Sequence, residues 1–98
     1  MVVAEVSIFP IGTGEPSVSE YVAAAANAFE EAGLKCSLNP MGTTVEAGSA
    51  EEIYSALGAA REAVFGMGAE RVYTVVKIDE RRDEDRSAEE MTRAVREE

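Results

Sequence analysis

The order of β-type and helical patterns constrains the fold of this 98-residue chain more than any other feature. Segments in which every second side chain is apolar predict β-strands, and apolar side chains at steps of three and four predict amphipathic helices. These patterns predict four strands, at residues 2–9, 34–39, 43–47 and 71–79. They also predict two long helices, at residues 17–32 and from Ser49 to the glycine pair Gly66 and Gly68.

Each predicted helix begins with a serine that is followed three residues later by a glutamate. In such a capping box the serine and glutamate side chains each accept a hydrogen bond from the other residue's backbone. The three pairs are Ser17 with Glu20, Ser49 with Glu52, and Ser87 with Glu90. The last pair opens a mostly charged C-terminal helix with a narrow apolar stripe, made of Ala88, Met91, Ala94 and Val95. Because such a helix is marginal alone, we expect it to pack on a neighbouring subunit.

The resulting order, β-α-β-β-α-β plus a terminal helix, is typical of a ferredoxin-like α+β sandwich. Such a sandwich has a four-stranded antiparallel sheet of order 4-1-3-2, with both helices on one face. We expect one domain, residues 1–98, with a core at 1–86 and an oligomerisation helix at 87–98. The other sheet face mixes apolar and polar side chains, namely Val3, Phe9, Tyr73 and Val75 with Glu5, Ser7, Glu46 and Lys77. This mixture indicates a subunit interface, a ligand floor or both, and a solvated face is the alternative.

Composition argues against several function classes. The net charge of −10, with nine basic residues, argues against a nucleic-acid partner, because binding to phosphate backbones needs clustered lysine and arginine. The absence of histidine removes the usual metal ligand and general base, so we expect no metal and no cofactor. No apolar run approaches the roughly 20 residues of a membrane span, and the N-terminus lacks the basic region, apolar block and cleavage site that are typical of a signal peptide. The single cysteine, Cys36, fits a reducing compartment, so we expect a soluble, cytoplasmic protein in which Cys36 is structural.

The tetrapeptide Pro-x-Gly-Thr occurs twice, as residues 10–13 and 40–43, each time after a predicted strand. Proline lacks a backbone donor, glycine allows unusual backbone angles and threonine supplies a hydroxyl, so each copy ends a strand and leaves polar groups free. One copy links strand to helix and the other links strand to strand. In the 4-1-3-2 order the end of the first strand and the turn before the third strand lie on adjacent antiparallel strands, so the two copies can flank one pocket. Two ordinary turns are the alternative interpretation.

Several sequence blocks keep a characteristic order and spacing from about residue 3 to residue 83. The blocks are Glu5-Val6-Ser7, Pro10-Ile11-Gly12-Thr13, Ser17-Val18-Ser19-Glu20-Tyr21-Val22, Pro40-Met41-Gly42-Thr43, Glu46, and Lys77-Ile78-Asp79-Glu80-Arg81-Arg82-Asp83. Together they resemble the small thiamine-binding protein family, a YkoF-like group of ferredoxin-like fold. The resemblance implies a cytoplasmic homo-oligomer, commonly a tetramer built from dimers whose sheets pack face to face. It also implies binding of thiamine or its hydroxymethylpyrimidine portion without catalysis.

The resemblance and the chemistry together predict a ligand-binding set. It comprises Glu5, Ser7, Gly12, Thr13, Ser19, Tyr21, Met41, Gly42, Thr43 and Glu46. An aminopyrimidine presents a ring nitrogen beside an exocyclic amine, which a carboxylate from Glu5 or Glu46 can meet with two parallel hydrogen bonds. For Glu5, a structural ion pair with Lys77 is an equal alternative. Tyr21 and Met41 can pack against the ring, or can belong to the core or an interface.

Two function classes remain open at this point. The first is a non-catalytic carrier, buffer or sensor that binds its ligand near a subunit interface. The alternative is an oligomeric scaffold or regulatory interaction module that binds no small molecule. An enzyme is disfavoured, because hydrolases of this fold need a phosphate-cradling loop with an arginine, and neither Pro-x-Gly-Thr turn contains one.

Overall fold

The computed structural model describes all residues from Met1 to Glu98. Its strands are β1 (Val2–Pro10), β2 (Lys35–Asn39), β3 (Gly42–Ala47) and β4 (Val72–Glu80), and its helices are α1 (Ser19–Glu31), α2 (Ala50–Phe65) and α3 (Ala88–Arg96). The four strands form one antiparallel sheet of order β2-β3-β1-β4. The predicted 4-1-3-2 order and ferredoxin-like α+β class are therefore confirmed. None of the helices combines the length and apolar character that crossing a bilayer requires.

The helix starts agree with the sequence patterns at two places and differ at one. The capping boxes of Ser49 and Ser87 are confirmed, each with both of its hydrogen bonds. The capping box predicted at Ser17 is wrong, because α1 has Val18 at its N-cap and no side-chain cap bond. Val18 and Val22 both line a cleft beside β1, and placing Val18 there starts the helix later than the polar pattern suggests. The Ser17 hydroxyl instead lies 3.1 Å from that of Ser19.

The core lies between the sheet and the two long helices. Residues of β1 are alternately buried and half-buried, which places Val2, Ala4, Val6 and Ile8 against the helices. The largest fully buried side chains are Phe29, Ile53, Val45 and Val64, contributed by α1, α2 and β3. Burying each such side chain contributes about 1.5–3 kcal/mol, so this layer supplies most of the driving force for folding.

The sheet face turned away from α1 and α2 is called the open face here. It carries Val3, Glu5, Ser7 and Phe9 of β1 with their register partners on β3 and β4. Helix α3 lies over one end of this face, where the backbone N–H of Ala88 donates to the Glu46 carboxylate. At the other end Phe9 stacks on Tyr73, with ring centroids 5.4 Å apart and an interplanar angle of 24°. The open face therefore has a covered end and a free apolar end.

Candidate functional site

Glu5 lies in the middle of β1 on the open face, between Thr44 of β3 and Lys77 of β4. Its half-buried carboxylate accepts hydrogen bonds from Asn39 Nδ2 at 3.1 and 3.2 Å and from Thr44 Oγ1 at 2.9 Å. The alternative of a structural ion pair with Lys77 is wrong, because these neutral donors hold the carboxylate instead. Glu5 is thus oriented without being neutralised.

Neither of the residues that hold Glu5, Asn39 and Thr44, belongs to the predicted ligand-binding set. Asn39 also accepts a hydrogen bond from the Met41 backbone N–H at 2.9 Å through its Oδ1, which shapes the turn between β2 and β3. An asparagine directly before a proline at a strand end is a signal for such a side-chain-closed turn. Thr44 has the same strand parity as Glu46, so alternation along β3 could have assigned it to the open face. Thr43, which was selected, is buried on the helix-facing side.

Position 42 requires glycine because there is no room for a Cβ atom. A Cβ atom there would lie 2.4 Å from Glu5 Oε1, 2.8 Å from the Val6 carbonyl oxygen and 3.0 Å from Ser7 Oγ. The Glu5 carboxylate therefore occupies the volume that any other side chain at position 42 would need. Ser7 Oγ donates to the Met41 carbonyl at 2.9 Å, which ties the same turn to β1. Four of the predicted residues, Glu5, Ser7, Met41 and Gly42, are thus brought together.

A cleft of about 350 Å³ lies beside this cluster. It exists because β1 pairs with β3 only as far as Val6 opposite Thr43, whereas β1 continues to Pro10 along β4. The cleft is lined by the end of β1, the β2–β3 turn, and Val18 and Val22 at the start of α1. Nine of its 14 lining residues are hydrophobic, and its polar side chains are those of Ser7, Asn39 and Thr43. A mostly apolar cavity with a few polar groups is typical of a small-molecule site.

The first Pro-x-Gly-Thr turn does not line this cleft, so the expectation that both turns flank one pocket is wrong. The physical reason is the overhang of β1, whose residues 7–10 separate the turns by about 13 Å along the strand direction. Gly12 has a φ of 85°. The Thr13 hydroxyl bonds locally, with the backbone oxygen and nitrogen of Glu15 at 3.2 and 3.4 Å.

Three further predicted residues also lie apart from the cleft. Ser19 pairs with Ser17 at the start of α1, and Tyr21 packs against the core. Glu46 lies under α3 at the covered end of the open face and is only 5% exposed. Its Oε1 accepts from the Ala88 N–H, the first residue of α3, where a negative charge is favourable for the helix dipole. Glu46 therefore anchors α3 to the sheet.

The groups whose pKa departs from its ordinary value lie outside the cleft. Burial, aided by the charge of Glu30, raises the pKa of the Cys36 thiol, which keeps it protonated and agrees with the predicted structural role. The hydrogen bond from Arg81 lowers the pKa of the Asp83 carboxyl on the exposed surface. Arg81 contacts Asp83 at 2.7 Å and Glu84 at 2.9 Å, so this segment is a self-paired charged surface.

Comparisons with known proteins agree with this architecture. A family model described as thiamine-binding protein matches residues 4–96 of the chain. A relative from Methanothermobacter thermautotrophicus is 42% identical over 97 residues, which cover 99% of this chain and 98% of the relative.

Two solved structures share the fold over almost the whole chain. A hypothetical protein from Methanocaldococcus jannaschii superimposes with a TM-score of 0.88 at 43% identity, covering 98% of this chain and 96% of that chain. A protein from Thermotoga maritima, provisionally assigned to thiamine biosynthesis or salvage, gives a TM-score of 0.76 at 22% identity. That match covers 95% of this chain and 97% of the other, and it shows the fold alone.

Proposed function

Because the chain belongs to the thiamine-binding protein family, we propose that it binds thiamine or its hydroxymethylpyrimidine portion in the cleft beside the β2–β3 turn. The observation that carries this proposal is the Glu5 carboxylate, which does not itself line the cleft but is bonded to Asn39 and packed over Gly42, both of which do. A small-molecule role is what the family indicates, and the ligand and its location are the proposed part.

The chemistry of the cleft suits an aminopyrimidine. Each Glu5 oxygen retains acceptor capacity beyond its contacts with Asn39 and Thr44, so the carboxylate can receive both a ring N–H and an exocyclic amine. Such charge-assisted, paired hydrogen bonds are the strong ones. The apolar lining, including Phe9 and Val22, is available to cover the faces of the ring. Nothing in this arrangement requires a reaction, so the proposed role is that of a cytoplasmic carrier, buffer or sensor.

The free end of the open face supports a homo-oligomer, proposed here as a tetramer built from two dimers. Tyr73 and Val75 are 49% and 46% exposed, and both lie on this face beside Phe9. Phe9 and Val75 also line the cleft, so a second copy seated on this end would place the ligand near the subunit interface. Val95 of α3 is 75% exposed, which supports a further contact through that helix.

Calorimetric titration with thiamine, hydroxymethylpyrimidine and the thiazole portion tests the ligand assignment. We expect thiamine and hydroxymethylpyrimidine to bind and the thiazole portion not to bind, because Glu5 recognises the pyrimidine edge. Absence of both heat and thermal stabilisation at millimolar ligand would instead favour the scaffold, which the Phe9–Tyr73 stack, with Tyr73 exposed, also suits.

Light scattering tests the oligomer, using the full chain beside a variant that lacks residues 87–98. A smaller assembly is expected without α3, and an unchanged mass would contradict a role of α3 in assembly.

A further inference from the structure

A second, more polar cavity lies between α3 and the outer edge of the sheet. This α3 groove has a volume of about 560 Å³, and only two of its ten lining residues are hydrophobic. It is lined on the strand side by Lys35 and Glu46 and on the helix side by Arg93 and Arg96. The cleft is lined by Gly42 and Thr43 of β3 and the groove by Thr44 and Glu46, and the two cavities share no lining residue. They are therefore separate cavities on one protein.

The groove concentrates positive charge in an acidic protein. Three of the nine basic residues of the chain line it beside two acidic ones, Glu46 and Glu89, so its lining is net positive although the net charge of the chain is −10. Lys35 lies 3.8 Å from Glu46 Oε2, and Arg93 lies 3.9 Å from Glu89. The Arg96 guanidinium has no carboxylate partner. Since an arginine fork matches the oxygens of a phosphate, these side chains favour an anionic group.

The groove also contains an unsatisfied acceptor. Glu46 is 5% exposed, and although its Oε1 accepts from the Ala88 N–H, its Oε2 receives no hydrogen bond. The contact with Lys35 at 3.8 Å is too long to be one. Buried polar atoms without a partner are rare because each one costs free energy. A donor on a molecule in the groove would satisfy this oxygen.

We propose that the α3 groove is a binding site for a small phosphorylated molecule that also carries an amino or hydroxyl donor. The phosphate lies against Arg93 and Arg96, and the donor reaches Glu46 Oε2. Both halves of the ligand are needed, because a bare phosphate leaves Glu46 unsatisfied and faces its negative charge. The site does not depend on thiamine binding in the cleft, although a phosphate ester of the cleft ligand is one possible source of the phosphate.

Nuclear magnetic resonance titration of the full chain tests the proposal with three probes: O-phosphoethanolamine, inorganic phosphate and ethanolamine. We expect O-phosphoethanolamine to bind at least about tenfold more tightly than either fragment and to shift the amides of Ala88, Thr92 and Arg93. Equal responses to O-phosphoethanolamine and phosphate, shifts confined to other surfaces, or no shift at millimolar probe would overturn it.

Matched variants separate a built site from general attraction of anions. The double variant Arg93→Gln/Arg96→Gln should weaken O-phosphoethanolamine binding at least about tenfold. The double variant Arg61→Gln/Arg82→Gln, which removes the same charge outside the groove, should leave it unchanged. Equal losses in both double variants would contradict the site. In Glu46→Gln, which keeps an acceptor for Ala88, the preference for the amino-bearing probe should disappear.

Thiamine and thiamine monophosphate distinguish the two sources of phosphate. If the cleft ligand supplies it, the monophosphate binds more tightly than thiamine and shifts both the turn at Met41 and α3. If a separate molecule supplies it, O-phosphoethanolamine shifts α3 without competing with thiamine. Should thiamine fail to bind while O-phosphoethanolamine still shifts α3, the proposed function fails and the groove stands.

Discussion

Glu5 and Glu46 lie on the same face of the sheet, yet their different surroundings give them different roles. Glu5 is half-buried beside a cleft and is held by the side chains of Asn39 and Thr44, which carry no charge. Glu46 is buried beneath a helix and is held by a backbone N–H of α3, with Lys35 nearby. A carboxylate oriented by neutral groups at an opening remains available to a ligand, whereas one covered by a helix serves first to attach that helix.

The largest effect is expected from Gly42→Ala, which disturbs the packing of the Glu5 carboxylate over position 42. The new methyl group would overlap Glu5 Oε1 and the Val6 carbonyl, and the backbone atom cannot rotate away. We expect the free energy of unfolding to fall by about 1–3 kcal/mol and thiamine affinity to fall with it. Urea denaturation and calorimetry measure the two effects.

Gly58→Ala is the matched control for that change. Position 58 is in α2, and a Cβ there meets nothing within 4 Å. Alanine should therefore stabilise the protein by about 0.5–1 kcal/mol through helix propensity. If Gly42→Ala behaved like Gly58→Ala, the close packing of Glu5 over Gly42 would be refuted.

The next effect separates the two carboxylates in binding. Glu5→Gln should cost at least about 1.5 kcal/mol of thiamine affinity, because a charge-assisted acceptor becomes neutral. Glu46→Gln makes the same chemical change on the same face and should alter the affinity less than about threefold. Calorimetry measures the thiamine affinity of both variants. A larger loss of affinity in Glu46→Gln than in Glu5→Gln would mean that Glu46, and not Glu5, contacts the ligand.

A smaller effect is expected in the attachment of α3. Glu46→Ala removes the acceptor of the Ala88 N–H and should lower the free energy of unfolding by about 1 kcal/mol. Hydrogen exchange of residues 88–96 should accelerate, while β1 remains protected. Glu5→Ala should leave the exchange of α3 unchanged, and faster exchange there would mean that the two sites are coupled.

The smallest effect concerns the donors that orient Glu5. Thr44→Val removes the 2.9 Å hydrogen bond while keeping the shape of the side chain, so thiamine affinity should fall by about 0.5–1 kcal/mol. Thr43→Val, one residue away, also changes the cleft lining but should cost less affinity, because Thr43 makes no hydrogen bond to Glu5. A larger loss of thiamine affinity in Thr43→Val than in Thr44→Val would mean that Thr43, as predicted from the sequence, is the more important of the two residues for binding.

Periodicity was sufficient to predict the order of elements along the chain, because alternating and helical patterns report which side chains are buried, and the strand order followed from the fold of which that element order is typical. The site was harder to predict because its geometry depends on strand register. The overhang of β1 separated the two Pro-x-Gly-Thr turns, and no local pattern encodes how far one strand outruns its neighbour. Asn39 was missed because its role comes from a contact with Glu5, which is 34 residues away. Ser17 shows the reverse error, since a local capping-box pattern was taken for a cap although α1 has Val18 at its N-cap, where Val18 lines the cleft.

The contact between Gly42 and the Glu5 carboxylate has a consequence for how this family can diverge. A chain that acquires a side chain at position 42 must first shorten or redirect the one at position 5, since the two claim the same volume. We expect the two positions to change together, so that glycine at 42 accompanies a long acidic residue at 5. A pairing of this kind would mark members that keep the same ligand, and its loss would mark those that have acquired another.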